Sequence, residues 1–149
     1  MKINNFNYNN LNDNLLNFIF EPKNPLYNFN LGHSYEELGQ TASASSYYLR
    51  TAEYSNDDLL TYESLLRLGL CLYAQGSRIF TVKGVLLRAI SLIPTRPEAY
   101  FLLSRVYEIN KDWQESYTFA TIGEKLTSDS DIKLRTNVEY PGRYGFTFE

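Results

Sequence analysis

The chain has little of the chemistry on which many enzymes and metal proteins depend. Its 149 residues include one cysteine, Cys71, and one histidine, His33. A single cysteine excludes a disulfide framework and a cysteine metal site within one chain. Cys71 also lies on the apolar pattern of a predicted helix, which indicates a small core residue. A lone histidine beside Glu36 and Glu37 is typical of a surface or groove residue rather than of a catalyst.

Signatures of several other protein classes are also absent. The longest apolar stretches fall far short of the roughly 18 residues that a membrane helix needs, and asparagines occupy the place of a secretory signal. The net charge of -3 and the pI near 5.2 come without a basic stripe, which argues against a nucleic-acid binder. There is no Gly-rich phosphate loop, GxSxG or HExxH motif. We therefore expect a soluble cytoplasmic protein that is not an enzyme, binds no cofactor or metal, and contacts neither membrane nor nucleic acid.

A short pattern recurs three times along the chain. In each copy a small residue follows a leucine, a large residue stands three positions after the small one, and a turn residue stands seven positions after it. The copies are Leu31-Gly32 with Tyr35 and Gly39, Leu68-Gly69 with Leu72 and Gly76, and Leu103-Ser104 with Tyr107 and Lys111. This register is typical of one helix of a helical hairpin, in which the small residue lets a neighbouring helix approach.

The pattern predicts three helical hairpins in one small domain. With 44% hydrophobic residues, a chain of this length can bury about two-thirds of its unfolded surface and fold alone. Residues 1–24 form an Asn-rich segment, loose over residues 1–10, with a short capping helix; residues 25–128 form the hairpins; residues 129–149 form a polar break and an aromatic tail. The predicted helices run from Leu11 to Ile19, from Leu26 to Leu38, through Ala44 to Ala52, and then from Leu59 to Ala74, Phe80 to Leu92, Glu98 to Ile109 and Trp113 to Leu126.

The C-terminal tail carries many large apolar residues but no capping helix. Its apolar residues between positions 132 and 140 lie at even intervals, which indicates an extended segment, and Pro141-Gly142 indicates a turn. Burying four such side chains is worth on the order of 6 to 10 kcal/mol before ordering costs. We expect the tail to fold back over the third hairpin or, preferably, to dock onto a partner chain or a second copy. The chain is thus a possible homo-oligomer through this tail.

The three hairpins resemble tetratricopeptide repeats (TPR). That family places a leucine, a small residue and a tyrosine at the positions held in the first hairpin by Leu31, Gly32 and Tyr35. The resemblance covers about residues 25–128. It implies an all-α, right-handed helical-repeat solenoid whose first helices line a concave groove. It also implies a module for protein–protein interaction that binds a protein or peptide partner.

A second resemblance concerns the C-terminal half. The segments Arg96 to Tyr107, Trp113 to Ala120 and Tyr140 to Phe146 are similar to helical-repeat regions attached to glycosyltransferases of bacteria, phages and large viruses. It implies, as an alternative function, an accessory or truncated part of a glycosyltransferase system. Asp129-Ser130-Asp131 has the form of the DxD motif that holds a divalent metal in many such enzymes. The chain lacks the nucleotide-binding α/β domain of those enzymes, so a solvated loop is the favoured interpretation.

Candidate partner-binding residues follow from equivalent positions on the first helices of the hairpins. Residues one turn apart on these helices project into a shared groove, whose aromatic and aliphatic floor suits a peptide with apolar anchors. These residues are Phe29, His33, Glu36, Arg67, Tyr73, Phe101, Arg105 and Glu108, to which the tail adds Tyr144, Phe146 and Phe148. Leu66 and Leu70 occupy equivalent positions, and for them packing between helices is an equally good interpretation.

Overall fold

The protein folds as a chain of helices. The structure, a computed structural model, describes residues 5–76 and 78–147, with the backbone alone described for residues 5–9. In this part of the chain the helices are α1 (Asn5–Phe20), α2 (Pro25–Glu37), α3 (Thr41–Tyr54), α4 (Asp58–Gln75), α5 (Ile79–Leu92), α6 (Glu98–Ile109) and α7 (Trp113–Leu126), followed by a 3-10 helix (Arg143–Phe146). Each α-helix packs against the next one, so α2 to α7 form three consecutive hairpins. The predicted all-α helical-repeat fold is confirmed.

The small residue of each repeat lies against the second helix of its own hairpin. A β-carbon built on Gly32 would come within 3.1 Å of the Tyr48 ring, and one built on Gly69 within 3.2 Å of Leu86. In the third hairpin Ser104 takes this position, and its carbonyl accepts a hydrogen bond from a serine hydroxyl of α7 at 2.9 Å. The helices therefore approach each other where the sequence pattern predicts it.

The large residue three positions later packs on the same partner helix. Tyr35 stacks on Tyr47 in the first hairpin, and Tyr107 stacks on Phe119 in the third. In both pairs the ring centroids are 5.5 Å apart, and the planes are tilted by 4° and 6°. The first and third hairpins thus use the same contact, although their sequences differ.

The turn residues of the three hairpins share a left-handed backbone conformation. The angle φ is 78° at Gly39, 82° at Gly76 and 64° at Lys111. Glycine adopts this conformation freely, whereas a residue with a β-carbon does so at a cost of roughly 1–2 kcal/mol. The register of the repeat therefore extends to the turn, including the third copy, where lysine replaces glycine.

The N-terminal helix is longer than predicted. It begins at Asn5 rather than at Leu11, although residues 1–10 were expected to be loose; residues 1–4 lie outside the described part of the chain. Asparagine lowers helix propensity by less than about 1 kcal/mol per residue, so a helix anchored further on can extend through several asparagines.

The next helix, α2, begins as its sequence suggests, because Asn24 Oδ1 accepts the Tyr27 N–H at 3.1 Å and Pro25 is the first helical residue.

The C-terminal tail folds back onto the first helices of its own chain. Val138 and Phe146 are 4% and 3% exposed, and the tail contacts α4 and α6. We preferred the expectation that the tail docks onto another chain. The structure instead shows the tail folded back onto its own helices, which was the other expectation. The tail reaches the second hairpin as well as the third. It is irregular rather than a strand, because its main-chain groups bond to side chains of the helices.

Candidate binding surface of the first helices

The first helices of hairpins one and two are joined by a largely buried ion pair. Arg67 of α4 donates from Nε to Glu36 Oε1 at 2.9 Å and from Nη2 to Glu36 Oε2 at 2.6 Å. The Tyr48 hydroxyl donates to the same carboxylate at 2.7 Å. Burial alone would raise the pKa of Glu36, but these hydrogen bonds and the guanidinium charge outweigh it, and the pKa lies below its usual value. Glu36 is therefore an anion that fixes the position of the guanidinium.

A second Arg–Glu ion pair lies at the start of α6, and Tyr62 of α4 bonds to it. Arg96 donates from Nε and Nη2 to Glu98 Oε1 at 3.0 and 2.6 Å. The Tyr62 hydroxyl of α4 donates to Glu98 Oε2 at 3.4 Å and accepts the Ala99 N–H at 3.0 Å. Arg96 thus serves as the partner of a buried carboxylate.

A buried carboxylate on α4 binds the tail through its main chain. Glu63 is 1% exposed. Its Oε1 accepts the Arg135 N–H at 2.8 Å, and its Oε2 accepts the Thr136 N–H at 2.7 Å. The Thr136 hydroxyl donates to Oε2 at 2.7 Å as well. Two consecutive amides converging on one anion fix the path of the backbone whatever side chains it carries.

Both arginines of the ion pairs add a bond to the main chain of the tail. Arg96 Nη1 donates to the Ile132 carbonyl at 2.9 Å, and Arg67 Nη1 donates to the Asn137 carbonyl. Together with Glu63 they bind four main-chain groups between residues 132 and 137. We call Glu63, Arg67 and Arg96 the clamp.

Beyond the clamp, the tail packs its aromatic rings on Phe101 of α6. The Phe101 and Tyr140 ring centroids are 5.7 Å apart, and those of Phe101 and Phe146 are 6.4 Å apart, both edge-to-face. A β-carbon built on Gly145 would come within 2.8 Å of the Phe101 ring, so the tail backbone also lies against it. Phe101 is therefore covered by the chain's own tail.

An open pocket lies beside the tail, between α4, α5 and α6. It has a volume of about 260 Å³. Its apolar lining includes Leu70, Tyr73, Val106 and Ile109, and Arg105 and Glu139 contribute one cation and one anion. Arg105 Nη1 donates to Glu108 at 2.8 Å, while its side chain remains 52% exposed. We call this cavity the apolar pocket.

The row of residues three positions before the small residues is buried in all three repeats. Phe29, Leu66 and Phe101 are 1%, 0% and 9% exposed. The Phe29 ring packs against the Tyr48 ring of α3, with centroids 5.5 Å apart. Phe29 and Leu66 thus lie in the core instead of on a groove floor, because the neighbouring helix packs over this row.

Three further candidate residues, His33, Tyr73 and Tyr144, lie nearer to the surface. His33 Nε2 is 3.0 Å from a carboxylate oxygen of Glu37. Tyr73 is partly buried and lines the apolar pocket. In the tail, Tyr144 is 72% exposed, and Phe148 lies outside the described residues. The structure therefore brings Tyr73 and Arg105 together at the apolar pocket, beside the tail that the clamp binds, whereas His33 pairs with Glu37 and Tyr144 is exposed.

Two of the three clamp residues, Glu63 and Arg96, were not among the predicted binding residues. Glu63 stands as a single charge in the otherwise uncharged stretch 59–66. A lone carboxylate on an apolar helix face needs a partner when it is buried. This single charge was the sequence signal that could have identified Glu63 as a binding residue. Glu63 lies six positions before Gly69, as Glu98 lies six positions before Ser104, so an acid occupies this position in the second and third repeats, whereas the first has Leu26.

The Asp129-Ser130-Asp131 motif lies in the loop after α7. Asp129 Oδ1 accepts the Tyr140 hydroxyl at 2.8 Å, and Ser130 Oγ accepts the Ile132 N–H at 3.1 Å. Both aspartates are exposed, and the described residues contain no group of three or more His, Cys, Asp or Glu that could hold a metal. The motif shapes the loop from which the tail departs.

This arrangement of hairpins defines a TPR-like helical-repeat protein. Among solved structures, the chain is similar to the crystal structure of MamA, with a TM-score of 0.68 at 18% sequence identity. The match covers 78% of this chain and 66% of that chain, slightly less than two thirds of its length. At this identity the likeness establishes the fold.

Other comparisons add no family. No protein-family model matches the chain, and no curated protein matches it. The resemblance to regions attached to glycosyltransferases thus receives no support from the comparisons. In the described part of the chain, no helix is long and apolar enough to span a bilayer.

Proposed function

We propose that this protein is a non-enzymatic interaction module that binds a segment of a partner protein on the surface formed by α4 and α6. One observation carries the proposal: this surface already holds an irregular segment, the tail, by bonds to its main chain. A surface that binds the main chain of one segment has the donors and acceptors to bind another. The TPR-like fold, in which first helices line a groove, supports the same function.

The apolar pocket is the anchor point that we propose for the partner. Its volume of about 260 Å³ accepts a large apolar side chain, and Tyr73 gives it an aromatic wall. Truncation of such anchors commonly accounts for most of the energy lost from an interface. Arg105, half-exposed at the same pocket, suits an acidic group next to the apolar side chain. The partner segment is therefore expected to carry an apolar residue beside an acidic one.

The charged groups of this surface also support a role in recognition. Arg67 and Arg96 each neutralise a carboxylate and bind a tail carbonyl, and Glu63 binds tail amides. Charges held in this way orient the chain that they bind, which supports a role in binding.

The test begins with capture of the partner by the full-length chain from a lysate of its source, followed by mass spectrometry. Affinity for the identified partner is then measured for Tyr73→Ala and for Phe80→Ala, an aromatic control that is 84% exposed on α5. We expect Tyr73→Ala to weaken binding by about 2 kcal/mol, roughly 30-fold, and Phe80→Ala to leave it unchanged. A partner that binds Tyr73→Ala and the unsubstituted chain equally well would contradict the proposal.

A further inference from the structure

The tail is bound in the manner of a separate peptide. Between residues 132 and 137 the clamp contacts its main chain, while the side chains of Ile132, Arg135 and Asn137 point to solvent or remain largely exposed. Most bonds to this stretch are therefore to its main chain, although the Thr136 hydroxyl also donates to Glu63 and Leu134 packs against the core. Another chain that presents amides and carbonyls in the same bent form, with a hydroxyl at the position of Thr136, would satisfy the clamp.

Sequence enters the recognition of the tail at its apolar positions. Val138 is buried, and Tyr140, two positions later, packs edge-to-face on Phe101. The segment that fits this surface thus carries an aliphatic residue followed two positions later by an aromatic residue. These positions lie beside the apolar pocket, since Glu139 between them lines it.

The tail does not fit this surface without cost. Glu139 has a φ of 65°, a left-handed conformation that side chains with a β-carbon rarely adopt. Glu139 lines the pocket at this bend, and the next residue, Tyr140, packs against Phe146. A partner segment with glycine at this position adopts the same bend without the strain, and the open pocket beside it can take a further apolar side chain.

We propose that residues 132–146 are a displaceable internal ligand of the clamp and Phe101, and that a segment of a partner protein with the aliphatic-x-aromatic pattern takes their place. This inference rests on the proposed function and adds the kind of segment bound and its competitor. Because the tail and the partner compete, the apparent affinity for the partner is reduced by the fraction of molecules in which the tail occupies the surface. Weakening the tail therefore strengthens partner binding, and weakening the clamp reduces it.

The experiment uses the full-length chain and a fluorescent synthetic peptide with the sequence of residues 131–147, DIKLRTNVEYPGRYGFT. A peptide of the same composition in scrambled order is the control. Binding is followed by fluorescence anisotropy. Phe146→Ala removes an apolar anchor of the internal tail, and we expect it to raise the affinity for the peptide by about tenfold or more. Adding Glu63→Gln to this variant removes one acceptor of the clamp and is expected to reverse most of the gain.

A second pair of variants keeps the test valid if Phe146→Ala unfolds the protein. Arg135→Pro removes one N–H that donates to Glu63, while the arginine side chain that it replaces is exposed. Lys133→Pro is its matched control, because the Lys133 N–H is not bound by the clamp. We expect Arg135→Pro to raise peptide affinity and Lys133→Pro to leave it near that of the unsubstituted chain. Melting curves by circular dichroism verify that each variant is folded.

Three outcomes would overturn the inference. The first is folded tail variants that bind the peptide no better than the unsubstituted chain does. The second is binding of the scrambled peptide with equal affinity. The third is a dimer, detected by light scattering, that the tail variants lose, because the occupant would then be the tail of a second copy. A captured partner whose affinity falls with Tyr73→Ala but does not respond to Phe146→Ala would remove this inference and leave the proposed function intact.

Discussion

Gly123 of α7 lies so close to Phe146 of the tail that a β-carbon built on the glycine would stand 2.8 Å from Cε1 of the ring. The same β-carbon would stand 2.8 Å from Cβ of Tyr100 on α6. The tail is thus seated where α7 has no side chain, at a point where two helices and the tail meet.

The first prediction uses this contact. We expect Gly123→Ala to lower the free energy of unfolding by about 1–3 kcal/mol, because a ring and a neighbouring β-carbon would both have to shift. Gly84→Ala is the matched control, since a β-carbon at Gly84 of α5 meets nothing within 4 Å. It is expected to stabilise the protein by up to about 1 kcal/mol through helix propensity. Urea unfolding measures both, and equal effects would contradict the packing of the tail on α7.

The second prediction concerns the register of the hairpins. Gly69→Leu is expected to cost about 1–3 kcal/mol, because Leu86 already lies 3.2 Å from where a β-carbon would stand. Thermal melting checks this against Gly84→Leu on the open face of α5. An unchanged melting temperature for Gly69→Leu would show that α4 and α5 do not pack in this register.

The third prediction is an acid-sensitive stability that depends on Glu36. Its pKa is lower in the folded protein than the ordinary value of 4.5, so the carboxylate contributes stability above that pH and loses it as the pH falls through the folded-state value. We expect the free energy of unfolding to fall between about pH 6 and about pH 3 by more in the unsubstituted chain than in Glu36→Gln. Urea unfolding at the two pH values tests this. An identical fall in both proteins would assign the acid sensitivity to other groups.

The fourth prediction concerns Cys71. Burial, reinforced by the nearby Glu36 carboxylate, raises the pKa of its thiol to about 12. Near neutral pH the thiol is therefore protonated as well as buried, and we expect a thiol-specific chromogenic reagent to react with it slowly in the native protein. One thiol per chain should react rapidly once urea unfolds the protein. Rapid labelling in native buffer would contradict the packing of α4.

The fifth prediction separates core from binding surface. Phe29→Ala is expected to cost about 3–5 kcal/mol of stability, as the ring is 1% exposed. Leu103→Ala, at a position with 0% exposure, is a core reference and should cost about 2–5 kcal/mol. Tyr73→Ala should cost less than either, because its ring borders the open pocket. Equal costs at Phe29 and Tyr73 would place both residues in the core.

The fold could be predicted from the sequence because the small, large and turn residues recur with one register. Gly39, Gly76 and Lys111 have the same left-handed backbone, and Tyr35 and Tyr107 make the same stacked contact. Local spacing is enough to define a helix, its turn and the face that its neighbour covers. The start of α1 was missed because it depends on packing further along the helix rather than on the propensity of asparagine.

The binding surface was harder to predict because it depends on residues far apart in the chain. Phe29 was placed on the groove side, since one apolar face of a helix looks like another until its neighbour is known. Glu63 bonds to residues 72 and 73 positions away, and no local pattern indicates that partner. Even spacing of apolar residues in the tail predicts that they are buried, but it indicates neither which helix buries them nor that Ile132 stays 64% exposed.

The bonds between α4 and the tail also determine how the protein unfolds. An array whose repeats contact only their neighbours can unfold from one end, repeat by repeat. Here hydrogen bonds join residues 70 to 73 positions apart, from α4 across the third hairpin to the tail. Fraying of α6 and α7 would strain or break these bonds, so we expect the second and third hairpins to unfold as one cooperative unit. Because closing so long a loop costs entropy, we also expect folding to be slower than in an array without these bonds.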